Sequence, residues 1–428
     1  MSRSPDNRAA TIAASRARLP LIQPFFANAR HNVAGQRGLC VMRHTDIAVV
    51  GGGLAGSTAA AMLGRAGMSA VIIDPHAKYP PDLRSEKIST AQLELLRKAG
   101  LAEAARRAGR PDGEIWTARF GYLIDKKPSH QFGILYDAMV NAIRGEIPES
   151  VELIEAKATA IATSADRQLL TLSTGEQISA RLVVLSSGLN IGLLHQLGIE
   201  RRVLSKCHCI TVGFDIAPKG RPAFDFPALT YFSERPSDRA AYLTLFPVPE
   251  GMRANLFVYR DMEDPWLRAM RDAPEDTLHR LFPRLHHFTG DFAITGRLRI
   301  RPADLYVATG HRQAGVVLVG DAFSTSCPAA GTGTDKVFTD VERLCNVYIP
   351  EWLATDGMGA DKIGAFYDDP LKVACDEWST ATAYHFRSVS IAGGLPWQAR
   401  RWARFLGRRS QGLLRRLGDR VRGATEAA

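Results

Sequence analysis

Gly51, Gly53 and Gly56 carry the clearest chemical signal in the chain. They sit in Asp46-Ile-Ala-Val-Val-Gly-Gly-Gly-Leu-Ala-Gly56, behind an apolar run from Ile47 to Val50. A small-residue stretch of helical character, Ser57 to Gly67, comes next. A second apolar run, Ala70 to Ile73, then ends in Asp74. Glycine at these places permits a tight turn at Gly51 and close backbone approach to a pyrophosphate at Gly53. At Gly56 it permits close helix–strand packing. The helix that opens at Leu54-Ala55 offers unpaired amides to phosphates. Asp74 stands 21 residues after Gly53, where an acid can accept from a ribose hydroxyl. The chemistry expected is the binding of a dinucleotide.

A second group lies far downstream. Gly320-Asp-Ala-Phe-Ser-Thr-Ser-Cys-Pro-Ala-Ala-Gly-Thr-Gly-Thr334 follows the apolar run Val316–Val319. Asp321 ends that strand, where its carboxylate can accept from a sugar-chain hydroxyl. Pro328 stiffens the turn. Gly331, Thr332 and Gly333 bring backbone amides toward a ligand, and a helix from Asp335 to Leu344 points its positive end there. Cys327 reads as a small space-filling residue in this motif.

Together these residues resemble the single-component FAD-dependent monooxygenases, the aromatic hydroxylase group that is p-hydroxybenzoate hydroxylase-like. The matching residues are Gly51–Gly56, Asp74, Arg84 and Gly320-Asp321 with Pro328, Gly331 and Gly333, and the likeness spans about residues 45–350. The resemblance implies that Asp321 binds the FAD ribityl chain and that Gly331 and Gly333 lie beside the isoalloxazine ring. It also implies that Arg84 contacts the cofactor and that Gly188 belongs to a middle motif touching FAD and NAD(P)H. Glu86 or Lys87 would line the pocket or meet NAD(P)H; a solvated loop with a surface ion pair is the other reading of Arg84 and Lys87. Phe246-Pro247-Val248-Pro249 looks like the family's strand end near the flavin. The chain departs from the family at Ser187, where the middle motif commonly has Asp. It departs again at Gln131-Phe132, where a helix-opening Arg is usual, and at Ser324, where His is usual.

The implied function is hydroxylation (or epoxidation) of an aromatic, quinone-like or other lipophilic small molecule with NAD(P)H and O₂, through a flavin hydroperoxide. The catalytic work then lies in the flavin, and no catalytic side chain is assigned. The pocket candidates are Phe246, Pro247, Pro328 and Lys87, within a dry pocket. A flavin-dependent reductase of isoprenoid double bonds, geranylgeranyl reductase-like, is the alternative. A halogenase is disfavoured because Trp116, Trp266, Trp352, Trp378, Trp397 and Trp402 form no Trp-x-Trp pair. A non-catalytic FAD-binding module is a third reading.

These sites need elements to hold them. The expected fold class is α/β: a Rossmann-like FAD-binding domain of parallel strands and helices, interrupted by an antiparallel-sheet substrate domain and followed by a helical C-terminal region. The FAD-binding domain is assigned to residues 45–115, 131–205 and 300–345, and the substrate domain to 116–130 and 206–299. The C-terminal region is 346–428. A helix is expected over 131–145, with Phe132, Leu135, Met139 and Ile143 on one face, and another over Pro265–Leu281. Alternating segments at 210–216, 228–232, 241–246 and 254–259 suggest the antiparallel sheet. Phe214, Tyr231, Phe232, Tyr242, Leu245, Phe246, Phe257 and Tyr259 are its candidate substrate walls, of which alternation turns about half toward the pocket. His208, His286 and His287 read as core or surface histidines.

Charge and composition exclude other classes. The total of +10 divides into +6 over residues 1–44 and +7 over residues 398–428, so the residues between carry −3. A slightly acidic body argues against nucleic-acid binding. Residues 1–44 resemble a transit peptide or a segment upstream of a start at Met42, and are expected to lack fixed structure. Six cysteines suit a reducing compartment, and Cys207-His208-Cys209 is too close-set for a zinc site. No metal is expected. The expected location is cytoplasmic. Peripheral membrane contact is a further expectation, through residues 396–422, where Trp397, Trp402, Phe405 and Leu406 alternate with arginines. Substrate identity and oligomeric state are not legible.

Overall fold

The computed structural model describes residues 42–426, with side chains as far as Arg415. The expectations for the arginine-rich segment 1–41 lie outside the described residues.

Apolar runs without alternation make the first sheet, as strands covered on both faces require. Its order is Glu152–Glu155, Ala70–Asp74, Arg43–Val50, Gln177–Leu185, Gln168–Leu172, Ala158–Ala162. Arg43–Val50 pairs in parallel with both Ala70–Asp74 and Gln177–Leu185. The far edge of Gln177–Leu185 is shared. Its first half meets Gln168–Leu172 antiparallel, and its last three residues meet Val316–Leu318 in parallel. Val50 is therefore in register with Leu185, and Leu185 with Leu318. Three chain segments, each more than a hundred residues from the next, end at one level.

The helix Leu54–Arg65 leaves that edge and packs almost without side chains between. A Cβ on Gly56 would stand 1.8 Å from the Gly51 carbonyl oxygen, and one on Gly51 would stand 2.5 Å from that of Ser186. Gly51 also has φ +100°, a conformation that favours glycine. Ile47, Ala48, Val49, Ala59, Ala60 and Leu63 are fully buried at this contact.

The second sheet is built of alternating strands in the order Phe292–Thr309, Glu200–Pro218, Gly251–Val258, Ala240–Val248, Ala228–Phe232, Glu114–Arg119, Tyr122–Pro128. All pairs are antiparallel except Ala228–Phe232 with Glu114–Arg119. The two longest strands, Glu200–Pro218 and Phe292–Thr309, run through the divisions expected at 205/206 and 299/300 without a break, shifting register at irregularities on the way.

Two expected helices differ. Residues 131–145 do not form one helix: Phe132–Gly133 pairs with Lys87–Ile88 and Arg110–Pro111, and the helix is Tyr136–Arg144. Its apolar face is Tyr136, Met139, Val140 and Ile143, so Phe132 belongs to a strand. Pro265–Leu281 is broken at Ala273 into Pro265–Asp272 and Pro274–Leu281. Pro274 lacks the amide needed to continue the first helix. The strand before Asp321 also ends early, at Leu318, and Asp321 lies in the short turn Gly320–Ala322.

The chain closes with helices Gly333–Arg343, Pro370–Ile391 and Leu395–Glu426, among others. Among the described residues, no helix is long and apolar enough to cross a membrane. Replacing Gly56 by Ala should cost about 1–3 kcal/mol through overpacking. Thermal denaturation reads this as a lowered Tm; an unchanged Tm would mean that the helix can shift away from Gly51.

Candidate active site

The three in-register strand ends gather the glycine motifs at the carboxyl edge of the parallel sheet. Asp74 is buried there. Its carboxylate accepts from the Gly52 amide at 2.7 Å and from the His76 amide at 3.0 Å, and it pairs with Arg144 at 3.1 Å. Arg144, in the last turn of its helix, also donates to the Gly52 carbonyl at 2.6 Å. The glycine turn is thus fixed from outside by an acid and a base. Gly53, by contrast, leaves room, since a Cβ there would only touch Tyr136 and Tyr79, both at 3.9 Å. Ala55 reaches the other motif, close to the position a Cβ on Gly320 would take, at 3.4 Å.

Arg84 joins the first motif to the second. It pairs with Asp321 at 2.6 Å and with Asp82 at 2.7 Å, over the Tyr136 ring. Burial opposes its charge, yet Tyr136, Asp321 and Asp82 hold its pKa above the ordinary guanidinium value. The Tyr136 hydroxyl accepts from the Leu54 amide at 3.4 Å, and burial pushes its own pKa up. Tyr306 donates to the Asp321 carbonyl at 2.6 Å. Gly320 has φ +60°, and its amide donates to buried Asp340.

One cavity of about 850 Å³ runs from this junction to the antiparallel sheet. On the first side it is lined by Leu54, Arg84, Asp321, Pro328, Gly331 and Gly333. A Cβ on Gly331 would meet nothing within 4 Å, so backbone is open to a ligand there. The Gly333–Arg343 helix opens onto the cavity with first-turn amides that have no intrahelical acceptor. Thr332 is not in the lining; its hydroxyl bonds that of Ser379 at 2.6 Å.

The opposite wall is the sheet. Phe232, Tyr242, Phe246 and Phe257 line the cavity. Phe214, Tyr231 and Leu245 do not: they point to the other face and pack with Leu267, Met270 and Phe282. Tyr259 packs beside Cys209 and Cys327 instead. Pro247 is also absent from the wall, because its carbonyl is pressed against Gly133, where a Cβ would come within 2.0 Å of it. Cys327 is fully buried outside the lining, and His208 is buried with its ring nitrogens near the Ser205 hydroxyl and the Ala383 carbonyl.

Polar groups converge at one end of the wall. Glu86 and Arg253 form a buried two-pronged pair at 2.8 and 2.9 Å. The Asn255 amide group donates to Glu86, and burial raises the Glu86 pKa. A carboxylate accepts only, so Asn255 turns its nitrogen to Glu86 and its oxygen away. That buried Oδ1 has no partner, and Asn255 lines the cavity. Lys87 lines it too, 3.0 Å from Asp112 and 5.7 Å from the Phe246 ring centre, with its pKa lowered by burial.

Several of these residues carry no signal in the sequence. Arg144, Arg201, Asn255 and Tyr306 look like ordinary members of a helix or of alternating strands. Arg201 lines the cavity, stacks over Tyr306 and donates to the Gly188 carbonyl at 2.9 Å. This cation holds the loop in which Ser187 replaces the usual acid. Tyr136 opens the helix, four residues after Phe132, where the family's helix-opening Arg is expected.

Glycines that a Cβ would spoil, open backbone at Gly53 and Gly331, and a helix opening on each side of Arg84–Asp321 suit an extended dinucleotide. A family model described as "FAD binding domain" matches residues 44–348. The 3-demethoxyubiquinol 3-hydroxylase of Escherichia coli is 26% identical over 342 residues, 71% of this chain and 80% of that protein. The ubiquinone hydroxylase UbiL of Rhodospirillum rubrum is 28% identical over 331 residues, 70% of this chain and 71% of that protein. Among solved structures, p-nitrophenol 4-monooxygenase PnpA from Pseudomonas putida DLL-E4 superposes with a TM-score of 0.69 at 17% identity. It covers 85% of this chain and 94% of its own. Asp321→Ala should lose flavin on gel filtration while keeping the wild-type far-UV spectrum. Full flavin occupancy in that variant would remove Asp321 from the cofactor site.

Proposed function

The chain belongs to the FAD-binding-domain family, and from that premise we propose that it is an FAD-dependent monooxygenase, using NAD(P)H and O₂ to hydroxylate a phenolic or quinone-like molecule. FAD, when bound, supplies the redox and oxygen-activating chemistry. The protein supplies position, charge and dryness. Gly51, Gly53, Leu54, Ala55, Gly56 and Asp74 would hold the adenosine and pyrophosphate end. Arg84, Gly188, Gly320, Asp321, Pro328, Gly331 and Gly333 would hold the remainder, with Thr332 turned away from the cavity and fixing the loop through Ser379. The two hydroxylase relatives support a quinone-like substrate, and the cavity supports it independently.

The strongest support is one continuous cavity joining the second glycine motif to an aromatic wall that carries a buried, unfilled acceptor, Asn255 Oδ1. Phe232, Tyr242, Phe246 and Phe257 offer ring faces and edges to a flat apolar molecule. Asn255 Oδ1 would accept from a substrate hydroxyl, because a buried acceptor left empty is costly. Lys87 would donate to an oxygen at the same end.

A screen of phenolic and quinone-like compounds for stimulated NAD(P)H oxidation tests the reading, with O₂ uptake followed in parallel. The substrate should raise both rates together; a compound that is turned over equally well without O₂ would overturn it. Asn255→Leu should raise KM for a hydroxylated substrate about tenfold, the worth of one buried hydrogen bond, and change kcat little. An unchanged KM would mean that the substrate's hydroxyl points elsewhere.

The membrane reading concerns the final helix. Its outward stripe exposes Leu395, Trp402, Leu406 and Leu413 among arginines, the pattern of a helix lying on an anionic surface. Trp402→Glu with Leu406→Glu should abolish sedimentation with anionic vesicles, and unchanged sedimentation would rule out that stripe.

A further inference from the structure

The inward stripe of the same helix does something different. Arg401, Phe405 and Gly412 are buried against the body, and Arg408, at the same helical spacing, is exposed. The helix lies so close to the sheet that a Cβ on Gly412 would come 2.1 Å from the Ile124 carbonyl oxygen. Phe120, at φ +55°, stacks on Trp402 and meets Phe405 edge-on, both at 5.3 Å. Between this helix, Pro370–Ile391 and the sheet lies a second cavity of about 290 Å³.

Its charge is one-sided. Arg119, Arg401, Arg404, Arg408 and His385 line it, and no carboxylate does. Among the described residues none of these four arginines has an acid within ion-pair distance. Arg401 is committed, donating to the Val389 and Ala392 carbonyls. Arg404 meets His385 Nε2 at 3.2 Å. Arg119 has a buried Nε with no acceptor and only the Phe120 ring, 4.8 Å away, against its guanidinium. Burial and then Arg401 push its pKa down to about 10, against some relief from Glu234. Glu234 itself is engaged by Tyr231 at 2.7 Å and Arg284 at 3.4 Å. Arg404 and Arg408 reach solvent at the cavity mouth while Arg119 is half-buried, so an anion entering there would meet two hydrated guanidiniums and one unpaired one, whose forked donors match phosphate oxygens. The cavity floor is apolar, formed by Phe232, Tyr242 and Phe386, which also line the larger cavity.

We infer that this second cavity binds an organic phosphate, its anionic head among Arg119, Arg404 and Arg408 and its apolar portion on Phe232, Tyr242 and Phe386. The site depends neither on the reaction proposed above nor on the outward stripe of the helix. The same chemistry is offered by a membrane phospholipid and by a soluble phosphate ester.

Hexyl phosphate titrated calorimetrically into the FAD-loaded full chain tests the soluble source. Dihexanoyl phosphatidylglycerol, titrated in the same way below its micelle concentration so that no membrane surface is present, tests the lipid source. Arg404→Gln/Arg408→Gln removes two charges from the cavity; Arg400→Gln/Arg409→Gln removes two from the same helix outside it. The cavity variant should weaken binding at least about tenfold, the scale of a lost charge-assisted hydrogen bond, and the outside variant should stay near wild type. Loss confined to hexyl phosphate binding assigns a soluble ester, and loss confined to dihexanoyl phosphatidylglycerol binding assigns a lipid. Equal loss in both variants, or no binding of either probe to wild type, overturns the site. Flavin content reports folding. Should the cavity variant lose flavin, Arg119→Gln, on the sheet rather than the helix, replaces it under the same criteria.

Discussion

The registration of three parallel strand ends is the constraint on which the remaining structure depends. Val50, Leu185 and Leu318 form one row across the sheet. Each chain must turn immediately beyond that row, so Gly51, Ser186 and the Gly320 turn emerge side by side. Ligands in open parallel sheets bind outside the carboxyl ends of the strands. Here the row places Asp321 within reach of Arg84 although 237 residues separate them. If Val316–Leu318 slipped by one residue, its side chains would exchange faces and the Gly320 turn would move off the level of the glycine cradle.

Buried charge then fixes what the strands have aligned. Lys372 pairs with Asp340 and Asp376, both at 2.9 Å, and Lys336 pairs with Asp376 at 2.8 Å. Lys336 also donates to Ser324, the residue standing where the family has His. Two bases and two acids nearly cancel, which is the condition for burying any of them. The product is geometric: Asp340 holds the Gly320 amide, and the Gly333–Arg343 helix cannot turn its opening away from the cavity. Glu86 and Arg253 do the same on the sheet side. They fix the orientation of Asn255, and the chemistry of the wall follows from that.

The glycine motifs were readable in the sequence because their requirement is local. A Cβ at Gly51 or Gly56 clashes with backbone only a few residues or one strand away, so the spacing itself carries the message. The antiparallel strands were readable from alternation, but their facing was not. Phe214 and Phe257 look alike in sequence, and only the pairing of Thr211 with Phe257 and of Phe214 with Ala254 puts one on each side. Arg144, Arg201 and Asn255 act through contacts with segments distant in the chain, and no local pattern distinguishes them from surface residues. The helix start failed for a related reason. Phe132–Gly133 has strand partners at 87–88 and 110–111, and that pairing outweighs the apolar period running through it.

Tyr242 shows how the parts act on one another. Its ring lines both cavities, and its hydroxyl donates to the Ala329 carbonyl at 2.8 Å. Ala329 lies in the Pro328–Ala330 turn, directly before the open backbone of Gly331. A ligand in the arginine-lined cavity therefore touches a ring whose far end is tied to the second glycine motif. Burial raises the Tyr242 pKa far above neutrality, so the hydroxyl keeps its proton and the bond to Ala329 persists. Phe232 and Phe257 pack against the ring, with centroids 5.8 and 4.9 Å away. The two cavities thus share one wall, and the Tyr242 hydroxyl ties that wall to the second glycine motif.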